Sequence, residues 1–115
     1  MQTFLEKPQG KQKFRYNLHK LDLKDKWMPT ISMFYGIIVR MYCAPREHNP
    51  PHIHVYYQDD KAIIDINKGE LTEGKFPKNK LKIVLAWVEL RREDLLADWK
   101  LAQNGELPFK IEPIR

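Results

Sequence analysis

Three of the four histidines fall within one short run, HNPPHIH, which holds His48, His52 and His54. Imidazole is the side chain that both takes and gives a proton near neutral pH, and it is also a common nitrogen ligand of divalent metals. His52 and His54 are two residues apart in a stretch that alternates polar and apolar, so on a strand both rings leave the same face. Two imidazoles side by side suit a general acid/base pair. His48, returned by a stiff diproline loop, would add a third nitrogen and make a metal set. Prolines lower the entropy of ordering such a loop.

Strand alternation extends the reading. If Ile53, Val55 and Tyr57 face the core, His52, His54 and Tyr56 face outward. On the following strand Ala62, Ile64 and Ile66 would be core, leaving Ile63 and Asp65 outward. On the preceding one Arg40 and Tyr42 join that face if Val39 and Met41 are buried, although a bulge at Gly36 would reverse the assignment. The expected patch is Arg40, His52, His54, Tyr56 and Asp65. Imidazole, guanidinium, phenol and carboxylate together are what phosphodiester cleavage or anion binding uses. In the catalytic reading His52 and His54 are base and acid, and Arg40 steadies the phosphate. Asp65 and Tyr56 assist, and no cofactor is needed. In the alternative reading His48, His52 and His54 hold a divalent metal such as zinc. Against both stands the plain reading that an open sheet face carries polar residues anyway.

The elements that must position this patch follow from pattern. Residues 31–42, ISMFYGIIVRMY, are β-branched and aromatic, as in a strand, with Gly36 read as a bulge or bend. Residues 43–51 are loop, because Pro50 and Pro51 forbid a central strand. Strands follow over 52–57, 61–67 and about 70–75, with turns at Asp59-Asp60 and Lys68-Gly69. Pro77 suits a first helical turn. Leu81, Val84, Leu85 and Val88, then Leu95, Leu96, Trp99 and Ala102, keep helical spacing, and Arg91-Arg92-Glu93 interrupts the stripe. Gly105 is the expected cap, and the tail LPFKIEPIR reads as extended. The expected fold is α+β: a small antiparallel sheet of three to four strands, then one bent or two C-terminal helices packed on one face.

Composition sets bounds. The chain has 115 residues, 43% hydrophobic and 30% charged, the balance of one globular domain. No apolar run approaches the roughly 20 residues that span a bilayer, and no secretory signal pattern is present. The single cysteine, Cys43, permits no intrachain disulfide. It also makes an unpersuasive nucleophile, since nothing in the sequence lowers its pKa. A cytoplasmic location without membrane contact is expected. The net charge is +5, but residues 1–27 hold seven Lys/Arg against three Asp/Glu, and the remainder thirteen against twelve. The basicity therefore belongs to a 1–27 extension, and residues 28–115 form a nearly balanced domain. Within the extension, Phe14, Tyr16, Leu18 and Leu21 fit a strand or a helix equally. The extension itself reads as a phosphate-binding arm, a solvated tail, or the product of an upstream start codon retained in the gene. Lys78, Lys80 and Lys82 at the helix start would hold a phosphate or simply be solvated. Trp87 and Trp99 are expected in the core.

At MPTISMFYGIIVRMY, HNPPHIHVYY, AIIDINKGELTEGKFP and LKIVLAWVELRREDLLADWKLAQNG, covering residues 28–113, the chain resembles the bacterial family catalogued as "domain of unknown function 4160". Its HNPPH-x-H core is distinctive. The resemblance implies a small prokaryotic protein whose relatives commonly begin at the equivalent of Met28. It also implies a cognate small protein encoded nearby, from "domain of unknown function 2442", in pairs proposed as toxin–antitoxin modules. The family's histidines map onto His48, His52 and His54; Cys43 departs from the residues expected in relatives, which argues against a cysteine mechanism. The expectation for function is thus a component of a toxin–antitoxin-like pair. It binds a partner protein, with RNA as a further candidate, through the histidine-bearing sheet face; a second copy of the chain is also a candidate partner. The alternative is a metal-binding or purely protein-interaction module without catalysis.

Overall fold

A computed structural model describes residues 27–43 and 48–115. The patterns at residues 1–26, including Phe14 to Leu21, and the centre of the loop at 44–47 lie outside the described residues. Five strands run in order, β1 (Thr30–Phe34), β2 (Ile37–Arg40), β3 (His52–Tyr57), β4 (Asp60–Asp65) and β5 (Glu70–Gly74), before one helix, α1 (Lys78–Gln103). Each strand pairs antiparallel with the next, so spatial order equals chain order. The fold is α+β as expected, but the sheet has five strands rather than three to four.

The extra strand comes from Tyr35-Gly36. Both residues have positive φ, 51° and 81°, and they join Phe34 to Ile37 as a two-residue hairpin turn. What reads as one bent strand is therefore two. Backbone twist favours such a turn between strands but demands left-handed conformations, usually met by Asn-Gly. Tyrosine in the first position hides the signal.

Beyond the turn the pleat keeps the expected parity. Val39, Ile53, Val55 and Ile64 are fully buried, and Ala62 nearly so. They meet Val84, Trp87, Val88, Leu95 and Trp99 of α1 in one core. The helix is a single element bent at Arg91, which leaves helical geometry at φ −112° and ψ 18°. Just past the bend, Arg92 donates from Nε to the Ile66 carbonyl at 3.0 Å and from Nη1 to Glu89 at 3.0 Å. The bend is thereby anchored to the end of β4. At the helix start, Lys80 donates to the Tyr35 carbonyl at 3.2 Å and lies 5.0 Å from the Tyr57 ring centre. That lysine pins α1 to the first hairpin. The helix ends as expected at Gly105, with φ +78°. The Gly105 and Glu106 N–H groups donate to Ala102 and Leu101, the paired pattern of a glycine-terminated helix.

The tail returns along the open edge of β1. Leu107 and Pro108 lie by Pro29 and Thr30, Ile111 donates its N–H to Ile31 at 2.8 Å, and Ile114 approaches Tyr35. It therefore runs parallel to β1, and its two prolines present no N–H to a further strand. Four bonds hold it: the Ile111 bond, the Trp87 indole N–H to the Glu112 carbonyl at 2.8 Å, the Phe109 N–H to Asp98 Oδ1 at 2.9 Å, and Lys110 Nζ to the Thr30 carbonyl at 2.9 Å.

Asp98 is only 3% exposed. Burial pushes its carboxyl up, the Phe109 N–H pulls it back, and Asp94 adds to the rise. Its folded-state pKa therefore lies above the unfolded one, and as pH climbs the unfolded chain releases this proton first. The group's contribution to stability is full below the ordinary aspartate pKa of 3.8 and declines until the raised folded value is passed. Asp98→Asn, whose amide oxygen still accepts from Phe109, should remove that decline and be at least as stable as the parent at neutral pH. Urea denaturation of both proteins across acidic to neutral pH checks this; an identical pH slope in the two would refute it.

Candidate functional site

The sheet face away from α1 is built from one cross-strand row, Arg40 opposite His54, His54 opposite Ile63, and Ile63 opposite Glu73. One rung to one side Ile38 pairs with Tyr56 and Tyr56 with Lys61; two residues to the other, His52 pairs with Asp65. The five residues singled out from the sequence thus share a face. Sharing a face is not the same as converging.

Two groups form instead. In the first, the His52 and His54 rings are 5.3 Å apart, and Tyr42 meets His54 edge-on at 5.7 Å. His52 also lies 5.1 Å from Trp99 of α1. At the end of β3 the row of rings therefore runs from the core tryptophan to the outer face. His52 Nδ1 is 3.0 Å from the Pro50 carbonyl. A carbonyl only accepts, so this nitrogen carries the proton, and Nε2 becomes the lone-pair nitrogen of the neutral ring. The diproline loop sets the tautomer; the Asn49–Pro50 bond is cis. His48 lines the same cleft as His52 and His54, a hollow of about 510 Å³ that also includes Lys68 and Thr72.

The second group adjoins the first, around Arg40 and Tyr56. Arg40 donates to the Met28 carbonyl at 3.3 Å, and its guanidinium lies 5.7 Å from the Tyr56 ring centre. The Tyr56 hydroxyl in turn reaches Met28 Sδ at 3.7 Å. Burial pushes the Tyr56 phenol up; the Arg40 charge pulls it down and Tyr42 adds to the rise. Arg40 lines a separate hollow with Pro29, Thr30 and the tail, not the histidine cleft. Lys68, rather than Arg40, is the cation that lines the histidine cleft. Asp65 is 4% exposed, and its Oδ1 accepts the Lys68 N–H at 2.8 Å, closing the turn after β4. That oxygen serves the backbone.

Among the described residues no three His, Cys, Asp or Glu side chains are grouped so as to hold a metal ion. The three-nitrogen arrangement of His48, His52 and His54 is therefore not formed, although the three share a cleft. Cys43 is buried, its thiol pushed up by burial and donating to the Glu106 carbonyl at 3.0 Å. It clasps the helix end to the strand edge, as an inert group. Sequence reasoning did not bring Trp99, Lys68, Thr72, Lys61 or Glu73 to the site. Only the alternation of β4 and β5 hinted at the last two.

The family described as "Domain of unknown function (DUF4160)" matches residues 36–100. The chain belongs to this family. The matched span is narrower than residues 28–113 but takes in all three histidines of the cleft, Arg40, Tyr42 and Asp65, and most of α1. Strand β1 and the tail, which close the core on one side, lie outside the DUF4160 match. No curated protein and no solved structure matches the chain. Among the described residues no helix is long and apolar enough to cross a membrane.

Proposed function

We propose that the chain is one component of a toxin–antitoxin-like pair and that its histidine-bearing sheet face is the surface that takes single-stranded RNA. One observation carries this: two imidazoles 5.3 Å apart, the tautomer of one set by a carbonyl, in a cleft shared with Lys68. Such a cleft supplies donors for phosphate oxygens beside aromatic rings suited to bases. If the chain cleaves RNA, His52 Nε2 is the base and His54 the acid, with Lys68 rather than Arg40 beside the phosphate.

The commitments of Arg40 to Met28 and of Asp65 to its turn favour a second reading, capture of RNA or of the cognate protein without cleavage. The test uses His52→Phe, which keeps a ring against Trp99, together with His54→Leu. Anisotropy with a labelled single-stranded RNA should show affinity lower by about tenfold or more, the scale of losing phosphate and base contacts, at a nearly unchanged melting temperature. Growth inhibition on expression, and its relief by the coding neighbour, should disappear with it. Unchanged RNA affinity and unchanged growth effects would sink the proposal, and RNA cleavage in the wild type alone would decide between the two readings.

A further inference from the structure

A second hollow of about 450 Å³ adjoins the histidine cleft and shares His54, Ile63 and Glu73 with it. Both volumes fall in the range of about 300–1,000 Å³ typical of small-molecule sites. The chemistry on the two sides differs. The second hollow is walled by Tyr42, Tyr56, Met28, Ala62 and Gly74, with Lys61 as its cation. The first presents His48, Asn49, His52, Lys68 and Thr72. The exposed lining of both is mainly apolar, but one is walled by two tyrosines and the other carries imidazole, amide, ammonium and hydroxyl donors.

Resting on the reading of this face as an RNA surface, we infer that the two hollows form one ribonucleotide site. The base sits in the tyrosine-walled hollow and the phosphate in the histidine cleft. His54 stands at the partition, 5.7 Å from Tyr42 and 5.3 Å from His52, so a ligand lying across it reaches both. Sequence-tolerant stacking on aromatic rings suits a base, and the charged and amide groups of the other hollow suit a phosphate. Glu73, present in both walls, would repel a phosphate laid against it. The phosphate is therefore placed toward His48 and Lys68, and the Glu73 carboxylate is left to accept from ribose hydroxyls. The 2′-hydroxyl is the group that tells RNA from DNA. Asp65 also lines the cleft, with Oδ1 already accepting from the Lys68 N–H.

Calorimetric titration of the full chain with AMP, dAMP, adenosine and ribose 5-phosphate tests this. AMP should bind about tenfold or more tighter than ribose 5-phosphate, a ratio set by base stacking, and tighter than adenosine and dAMP. Tyr42→Leu should erase the advantage over ribose 5-phosphate, Lys68→Ala that over adenosine, and Glu73→Ala, which removes the acceptor, that over dAMP. AMP no tighter than ribose 5-phosphate, or unchanged in Tyr42→Leu, overturns the two-hollow assignment. If labelled RNA still binds in a histidine-dependent manner, that failure is confined to the assignment. If AMP binds as expected and RNA does not, the nucleotide site stands and the RNA surface falls.

Discussion

Trp87→Ala is expected to leave much of the protein unfolded at physiological temperature. Trp87 has no exposed surface and packs on Phe34 of β1 with ring centres 5.1 Å apart. Its indole N–H donates to the Glu112 carbonyl at 2.8 Å. One side chain therefore joins the helix, the first strand and the tail. Removing a buried aromatic of this kind costs about 3–5 kcal/mol, against a total stability of about 5–15 kcal/mol for a domain. At about 4–8 °C per kcal/mol for a chain of this class, the melting temperature should fall by tens of degrees. Trp87→Phe separates packing from the peg. It keeps most of the volume but loses the N–H and part of the ring system, so it should be much milder, with faster hydrogen exchange concentrated at Ile111. A melting temperature in Trp87→Ala within a few degrees of the parent would show that the core does not depend on this junction.

Gly74→Ala should damage the sheet locally rather than globally. Gly74 has φ +84°, and a Cβ there would overlap the Lys61 carbonyl oxygen and lie 2.9 Å from Ala62 Cα. These neighbours are backbone, so no side-chain rotation relieves the clash. Strain of this type costs about 1–3 kcal/mol, and β5 is an edge strand able to separate from β4 rather than bear it. The N–H of Lys75, which donates to the same Lys61 carbonyl at 3.1 Å, should lose protection from hydrogen exchange, and β5 amides with it. Helix amides around Val84 and Val88 should keep theirs. Uniform loss across β5 and the helix, or no loss anywhere, would contradict this. Gly74 also walls the tyrosine hollow, so the same variant should weaken AMP binding.

How far these features are readable from residues alone depends on how local their causes are. His52 and His54 share a face because alternation is a property of the strand itself, and Ile53 and Val55 announce which side is buried. The start of α1 after Pro77, its interruption near Arg91 and its end at Gly105 are likewise written in adjacent residues. The hairpin at Tyr35-Gly36 escapes that logic. A tyrosine in a left-handed position carries no turn signature, and only pairing of Phe34 with Ile37 reveals two strands.

Neighbours across the sheet belong to another level. Arg40 and His54 are register partners, yet the guanidinium goes to Met28 and Tyr56, because side-chain torsions answer to whatever carbonyl and ring lie within reach. Asp65 faces His52 but is claimed by a turn three residues on. Trp99, forty-seven positions from His52 in the chain, meets its ring at 5.1 Å only through the packing of α1 on the sheet. Residue types and their period determine which side chains can meet; packing of helix, loop and tail over the sheet decides which of them do.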